Sequence, residues 1–396
     1  MLTPERYAWQ SLWRNRFCSL MFICLVGIAS VCLFGVGFMN ENLTSGIGQV
    51  KGQIGADLVA VPSAYHEDAK NALFAGNACT ILFQEDPQQL LRQTEGIAQV
   101  SPQLYMKTLA FSCCGTAGIQ IIAFDPETDF TVRKWTHGVP VEKLAADEMI
   151  VGASCGLKQG TSMNIYGRSF QVAEVLEESG MGYDQSIFIS YDAADEITAS
   201  PEYAAYFGER SGLSSMLLIA AEKDADIEAL SRTLSGEFRD VSLYSTDALV
   251  AELKKQADYF RVSGFLMDGF VIALAVIALF SLITVSFYQR KQRVGSLLSI
   301  GITRSRIVRI FFLEYLYLTL IGTGAGIGTA AVFLIPLHQI IKQSVDLPYR
   351  MSGFGHLGLL CLLVLGIDLL ILLAACSLTF TRIIRTQPAI LSEEQT

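Results

Sequence analysis

The 396-residue chain is 51% hydrophobic and 17% charged, and its 38 acidic against 29 basic residues leave a formal net charge of −9. An acidic chain without a basic stripe lacks the electrostatic footprint of a nucleic-acid-binding protein. Its apolar residues are concentrated in four long runs, one near the N-terminus and three in the last third, which describes a membrane protein with one large domain on a single side.

A hydrocarbon core roughly 30 Å thick needs about 20 apolar residues in a helix. Strands cannot satisfy their backbone polar groups within one segment in lipid, so each run is expected to be a helix. After a tail at 1–16, the first span is placed at 17–39, which holds no charged residue. This run is longer than the apolar region of a signal peptide, and no A-x-A-type cleavage site follows it. The second span is placed at 263–288, with Asp268 in its first turns. The third is placed at 310–341, with Glu314 near its start, and the fourth at 357–380, interrupted by Asp368.

Basic residues orient these spans. Arg6, Arg14 and Arg16 precede the first, while Arg290, Lys291, Arg293, Arg304, Arg306 and Arg309 lie between the second and third. Arg382 and Arg385 follow the fourth. Positive segments stay on the cytoplasmic side, so both termini and the 289–309 turn are expected there, with a C-terminal tail at 381–396. By parity, 40–262 and a short loop at 342–356 lie outside. The 40–262 segment holds 31 acidic and 16 basic residues, a net of −15. The fold class is thus four transmembrane α-helices, one plus three, with a large α/β extracytoplasmic domain between the first and second.

Within that domain helices are expected at 87–94, 191–198, 224–237 and 245–259. In 224–237 apolar residues recur at helical spacing and acids occupy the first turn, where the helix dipole favours them. Short β-type runs fall at 56–61, 118–124, 163–166, 170–176, 186–189 and 215–221. Gly156, Gly160 and the Tyr166-Gly167 pair read as turns of a β-rich module.

The 288–310 segment is the most specific local pattern. A basic flank, a short helix at 294–300, a stop at Gly301 and Thr303 as N-cap of the next helix make a compact cytoplasmic elbow. Its arginines equally suit a turn meeting lipid phosphates. On the third span, Gly322 and Gly326, or Gly324 and Gly328, have the small-xxx-small spacing that lets helices approach closely in lipid, and Gly35 and Gly37 are candidates for similar packing on the first. A mid-span carboxylate such as Asp368 costs at least ~2.5 kcal/mol on insertion scales, so it faces protein or a cavity. A structural hydrogen bond, a protonated acid and a substrate path all fit. Asp268 and Glu314, nearer the span ends, read as cheaper to solvate.

Five cysteines, Cys18, Cys24, Cys32, Cys361 and Cys376, lie in spans, where they act as small apolar fillers. Cys79, the vicinal Cys113 and Cys114, and Cys155 fall in the large domain. Three readings compete: disulfides in an oxidising envelope, a soft-metal or haem-related thiolate site, and packing thiols. Met106, Met181, His66 and His137 are further donors for the second. Catalytic patterns are lacking: neither G-x-S-x-G nor H-E-x-x-H occurs, His66, His137, His338 and His356 are scattered, and Glu177-Glu178 reads as a solvated face. Nor is there a G-x-x-x-x-G-K-[ST] phosphate loop, so the chain cannot cradle a nucleotide by that route.

The elbow resembles the "R-x-R-E-I-G-x-L-R-A-I-G-A-S-R-x-x-I" segment of FtsX-like and MacB-like ABC transporter permeases of the mechanotransmission type. Val294, Gly295, Leu297, Ile300, Gly301, Arg304 and Ile307 keep the pattern. Phe312-Leu-Glu-Tyr315 with the glycines after it, Gly55 to Pro62, Ile150 to Leu176, and Arg385 to Ile390 are similar to other stretches of the family. Arg293 stands where the family has glutamate, so a charge usually offered to the ATPase is reversed. The resemblance implies a MacB-like periplasmic core at 40–262 and a permease of the cell membrane. It further implies a homodimer or heterodimer of permeases served by a separate cytoplasmic ABC ATPase that binds the ATP. On this reading Arg293, Val294, Gly295, Leu297, Ile300, Gly301 and Arg304 couple ATP hydrolysis to export or extraction of a substrate, and the chain itself is no enzyme. A haem- or metal-linked substrate is suggested by the vicinal cysteines. The alternative is a non-transporting subunit whose movement activates an envelope hydrolase or sensor.

Overall fold

A computed structural model describes residues 16–83, 86–107, 119–136, 141–199, 201, 214–238, 240–290, 303–344 and 347–385. In chain order its helices are α1 (Arg16–Ile54), α2 (His66–Ala75), α3 (Gln88–Gln93), α4 (Tyr191–Thr198), α5 (Ile227–Glu237), α6 (Thr246–Gln289), α7 (Arg304–Ser344) and α8 (Phe354–Arg385). Its strands are β1 (Leu58–Pro62), β2 (Ile97–Lys107), β3 (Gln120–Phe124), β4 (Glu148–Val151), β5 (Ser162–Ile165), β6 (Arg168–Val175), β7 (Ser186–Ser190), β8 (Met216–Ala221) and β9 (Val241–Ser245). The chain divides into two compact units: Met1–Glu41 with Tyr259–Leu337 and Ser352–Thr396, and Asn42–Asp258 with His338–Met351.

The first unit holds the apolar helices. Segments of α1, α6, α7 and α8 are each long and apolar enough to cross a bilayer. Phe22, Val26 and Ala29 of α1 pack with Leu279 and Ile283 of α6, Phe311, Tyr315 and Leu318 of α7, and Leu372 and Ala375 of α8. A second cluster joins Leu33, Phe34 and Phe38 to Ala330 and Val364. Phe22 and Tyr315 stack with ring centroids 5.3 Å apart. Outward, Leu266, Phe270, Ile277, Val332, Phe333 and Leu362 are exposed, a ring that lipid tails cover at no cost. With lipid outside, the hydrophobic effect does not press these helices together; close van der Waals fit and buried polar contacts do.

The second unit is built on a nine-stranded mixed sheet of order β5-β6-β4-β7-β3-β2-β8-β1-β9. β3 runs parallel to β7 and β4 parallel to β6, and the other pairs are antiparallel. One face is apolar: Leu104, Met106, Ile121 and Ile187 pack with Ala193, Ala194 and Ile197 of α4, and Leu58, Val100, Leu217 and Ile219 pack with Leu91 of α3 and Leu234 of α5. α4 starts where Ser190 Oγ accepts from Ala193 N, and α5 where Asp226 accepts from Glu228 and Ala229 N. β5 and β6 meet in a two-residue turn at Tyr166 (φ 48°) and Gly167 (φ 79°), the doubly positive pair a type I′ hairpin requires.

Several expected limits change. α1 runs on past 39 to Ile54, because Leu43, Ile47, Val50 and Ile54 form a stripe at helical spacing, each no more than 3% exposed. The polar Asn40-Glu41-Asn42 only looks like an end. The helix expected at 245–259 and the span expected at 263–288 are one helix, since nothing between them breaks the backbone hydrogen-bond ladder. Most of the loop expected at 342–356 belongs, as part of His338–Met351, to the same compact unit as the large domain. α2, β2, β4 and β9 lie outside the elements expected above. β2 carries the alternation Val100, Leu104, Met106, but its other side chains, Ser101, Gln103 and Tyr105, are also fully buried. A strand buried on both faces, with polar groups on one, does not read as amphipathic.

Candidate functional site

Arg293, Val294, Gly295, Leu297, Ile300 and Gly301 lie outside the described residues. The two stems of the elbow are described. One is the end of α6, and the other is the start of α7, where the Thr303 carbonyl accepts from Arg306 N (3.0 Å) and Ile307 N (3.3 Å), the N-cap position. Arg304 is the first residue of α7.

Arg290 Nη1 lies 2.8 Å from both carboxylate oxygens of Glu314, and the two side chains are 8% and 2% exposed. The guanidinium also sits 5.8 Å from the centre of the Phe311 ring, and Phe287 contacts Phe311 at 5.9 Å. Glu314 is therefore not a solvated acid near a span end, as its position in the sequence suggests. Its charge is met by Arg290 across the elbow, because a carboxylate at that depth needs a cation or several donors. An arginine and a glutamate 24 residues apart, flanking a turn between two apolar runs, was the available signal. The pair ties the two stems together.

The third-span glycines separate into two sets. A Cβ on Gly322 would lie 2.9 Å from Val26 Cβ, and one on Gly326 would lie 2.5 Å from the Gly27 carbonyl oxygen and 2.8 Å from Ser30 Cβ. Gly324 and Gly328 have open space around them. Gly27 is the glycine of α1 that comes closest to this contact, whereas Gly37 meets the Leu360 side chain of α8. Beside the contact, Asp368 Oδ2 receives Ser30 Oγ at 2.6 Å and Thr323 Oγ1 at 2.7 Å. One carboxylate thus joins α1, α7 and α8.

In the large unit, Lys342 pairs with Asp184 and, at 3.3 Å, with Glu178. Glu178 is thus not merely a solvated face. Asp184 also accepts from Ser179 N, Ser179 Oγ and Gly180 N, each at 2.7 Å. Tyr349 N donates to the Gly180 carbonyl at 3.0 Å, and Asn42 Nδ2 donates to the Tyr349 hydroxyl at 2.8 Å. A Cβ on Gly46 would collide with Pro348. The 338–351 segment is therefore fastened to this unit by a buried ion pair and backbone bonds.

Cys79 and Cys155 are free thiols. Cys155 Sγ donates to the Ser186 carbonyl at 3.4 Å and Cys79 Sγ to the Asp68 carbonyl at 3.8 Å. Burial pushes each thiol up to about 12, with Asp68 adding to the effect at Cys79 and Asp184 at Cys155. Met106 is packed in the apolar core, and among the described residues no three His, Cys, Asp or Glu side chains are grouped as a metal site. Cys113, Cys114 and His137 lie outside the described residues.

A lone leading span, a large mixed α/β domain and three trailing spans, the first two tied by Arg290 and Glu314, define an integral membrane protein of the permease class. Residues 265–388 match the model of the FtsX-like permease C-terminal region, and residues 19–236 match that of the MacB-like periplasmic core domain. The chain belongs to the FtsX-like/MacB-like permease family, the membrane-spanning components of ABC transporters, which work with separate ATPase subunits. Solved structures it is similar to include the periplasmic region of MacB from Actinobacillus actinomycetemcomitans, at 12% identity and a TM-score of 0.33 over 51% of this chain and 95% of that one. The extracellular domain of the noncanonic ABC-type transporter YknZ from Gram-positive bacteria is similar at 14% identity and a TM-score of 0.29, over 48% and 99%. A domain of a protein described as a permease from Porphyromonas gingivalis follows at 11% identity and 0.28, over 48% and 88%. A comparison with curated proteins finds no match.

Proposed function

We propose that this permease couples ATP hydrolysis on a separate cytoplasmic subunit to movement of its large domain, and so to export or extraction of a substrate. The observation that carries the reading is the Arg290–Glu314 clamp, which makes the two stems of the elbow one mechanical element. In this scheme the basic elbow and both termini face the cytoplasm, where nucleotide is available, and the acidic domain lies outside. Val294, Gly295, Leu297, Ile300 and Gly301 meet the ATPase, and Arg293 and Arg304 face acidic groups there. Two permease chains work as a pair, homodimeric or heterodimeric. The tight contacts at Gly322 and Gly326 and the Asp368 cluster support a bundle that moves as a unit.

The test uses the permease–ATPase complex in nanodiscs, with fluorophores on the large domains reporting ATP-dependent distance changes. Arg293→Glu, Arg304→Glu and Gly301→Trp are expected to leave assembly intact while separating ATP hydrolysis from domain movement. Full coupling in all three variants would overturn the docking assignment.

A further inference from the structure

The sheet face opposite α3 and α5 opens, at β1, onto a cavity of about 220 Å³ within the large unit. Strand register explains its floor. Val59 lies beside Leu218 of β8 and Tyr244 of β9, so Val59 and Val61 point away from the face that carries Leu58 and Ala60. Met216, Phe74 of α2 and Leu249 of α6 complete an apolar lining.

The rim is ionic. Lys70 Nζ lies 2.8 Å from Glu252 Oε1 and 3.5 Å from Glu67 Oε1, and His66 Nε2 lies 3.2 Å from Glu67. The Lys70 side chain is 15% exposed, against 60% for Glu67 and 47% for Glu252. The lysine is thus the inner partner, shared by two carboxylates that still reach solvent. Burial works against its charge, but Glu252 and Glu67 outweigh that and hold its ammonium above the ordinary lysine range. Two carboxylates thus stand at the rim beside a single lysine, and the excess of acid across 40–262 reinforces the negative sign.

Size follows from volume. An apolar cavity of about 150 Å³ admits benzene, so this one has room for a ring and a short chain.

We propose that this cavity binds a small amphipathic cation, its aryl or short alkyl body against the Tyr244 ring and its ammonium held by Glu67 and Glu252. A carboxylate ligand would meet two like charges and a lysine already engaged. The ligand would sit between α2 and α6, and α6 continues as the second span. The inference concerns binding alone and does not rest on coupling to an ATPase.

The test places 3-fluorotyrosine at Tyr244 in the full-length protein in nanodiscs and follows its fluorine resonance. Phenethylammonium is titrated in, with 2-phenylethanol and 3-phenylpropionate as neutral and anionic counterparts. The resonance should move saturably with the ammonium, about three- to fivefold more weakly with the alcohol, and most weakly with the carboxylate. Glu67→Gln with Glu252→Gln, both on exposed positions, should level the three. Leu249→Trp, which fills the cavity, should abolish the shift. No saturable shift with the ammonium up to about 10 mM, equal responses to all three compounds in the unmodified protein, or a shift that survives Leu249→Trp would each overturn the proposal.

Discussion

Replacing Lys342 with methionine tests whether the His338–Met351 segment is held in the large unit by charge. The lysine is 5% exposed and its partner Asp184 is 1% exposed. Removing one member of a buried pair costs about 3–5 kcal/mol, because the other charge stays buried and uncompensated. Asp184 keeps its bonds from Ser179 N, Ser179 Oγ and Gly180 N, which puts the loss near the lower end, about 3 kcal/mol. For a domain of this size that lowers Tm by roughly 6–12 °C. The assay is thermal unfolding in nanodiscs followed by near-ultraviolet circular dichroism, with amide exchange read at Tyr349, whose N–H donates to Gly180. Lys342→Met should also speed that exchange, while Lys342→Met combined with Asp184→Asn should cost less than the two single changes added together. A fall in Tm below about 2 °C with unchanged exchange at Tyr349 would refute the reasoning.

Other outcomes follow from the same geometry. Gly326→Leu should destabilise the bundle by about 1–3 kcal/mol, because its side chain meets the Gly27 carbonyl, whereas Gly328→Leu should be neutral in a single chain; comparing detergent melting temperatures separates them. Arg290→Gln should destabilise by about 3 kcal/mol or more, and Arg290→Glu with Glu314→Arg should recover part of it; equal stability of wild type and Arg290→Gln would dismiss the clamp. Cys79 and Cys155, raised to about 12, should alkylate at pH 8 about a thousandfold more slowly than free cysteine, read by mass spectrometry. A folded-state value above the unfolded one means the folded chain holds its proton longer as pH rises. Between pH 9.0 and about 12 the unfolded chain therefore binds fewer protons and stability falls, which urea unfolding at stepped alkaline pH measures.

Some of this architecture was legible because it follows from composition along the chain. Long, predominantly apolar runs have one low-energy form in lipid, so the four helices and their grouping could be read directly. The 191–198 helix and the β6 and β7 runs were readable from local pattern. The continuation of α1 was hidden by three polar residues, although the Leu43-Ile47-Val50-Ile54 spacing was there to be counted. β2 was hidden because both its faces are internal, one apolar and one a network in which Tyr105 donates to Gln103, and Ser101 and Thr131 donate to Asp129.

The sequence by itself determined that this protein spans a membrane four times and carries an acidic α/β domain after the first crossing, because hydrocarbon tolerates only helices of a certain length and apolar character. Tertiary structure alone decided which charges meet. Arg290 finds Glu314, Lys342 finds Asp184, and Asp368 collects Ser30 and Thr323 over separations of up to 338 residues. Only the first of these has a local signal, a short turn between two apolar runs; the others join distant segments, and such a buried charge is satisfied by whatever folding brings beside it. The same holds for the glycines: spacing offered two equivalent faces on α7, and only the approach of α1 distinguished Gly322 and Gly326 from Gly324 and Gly328.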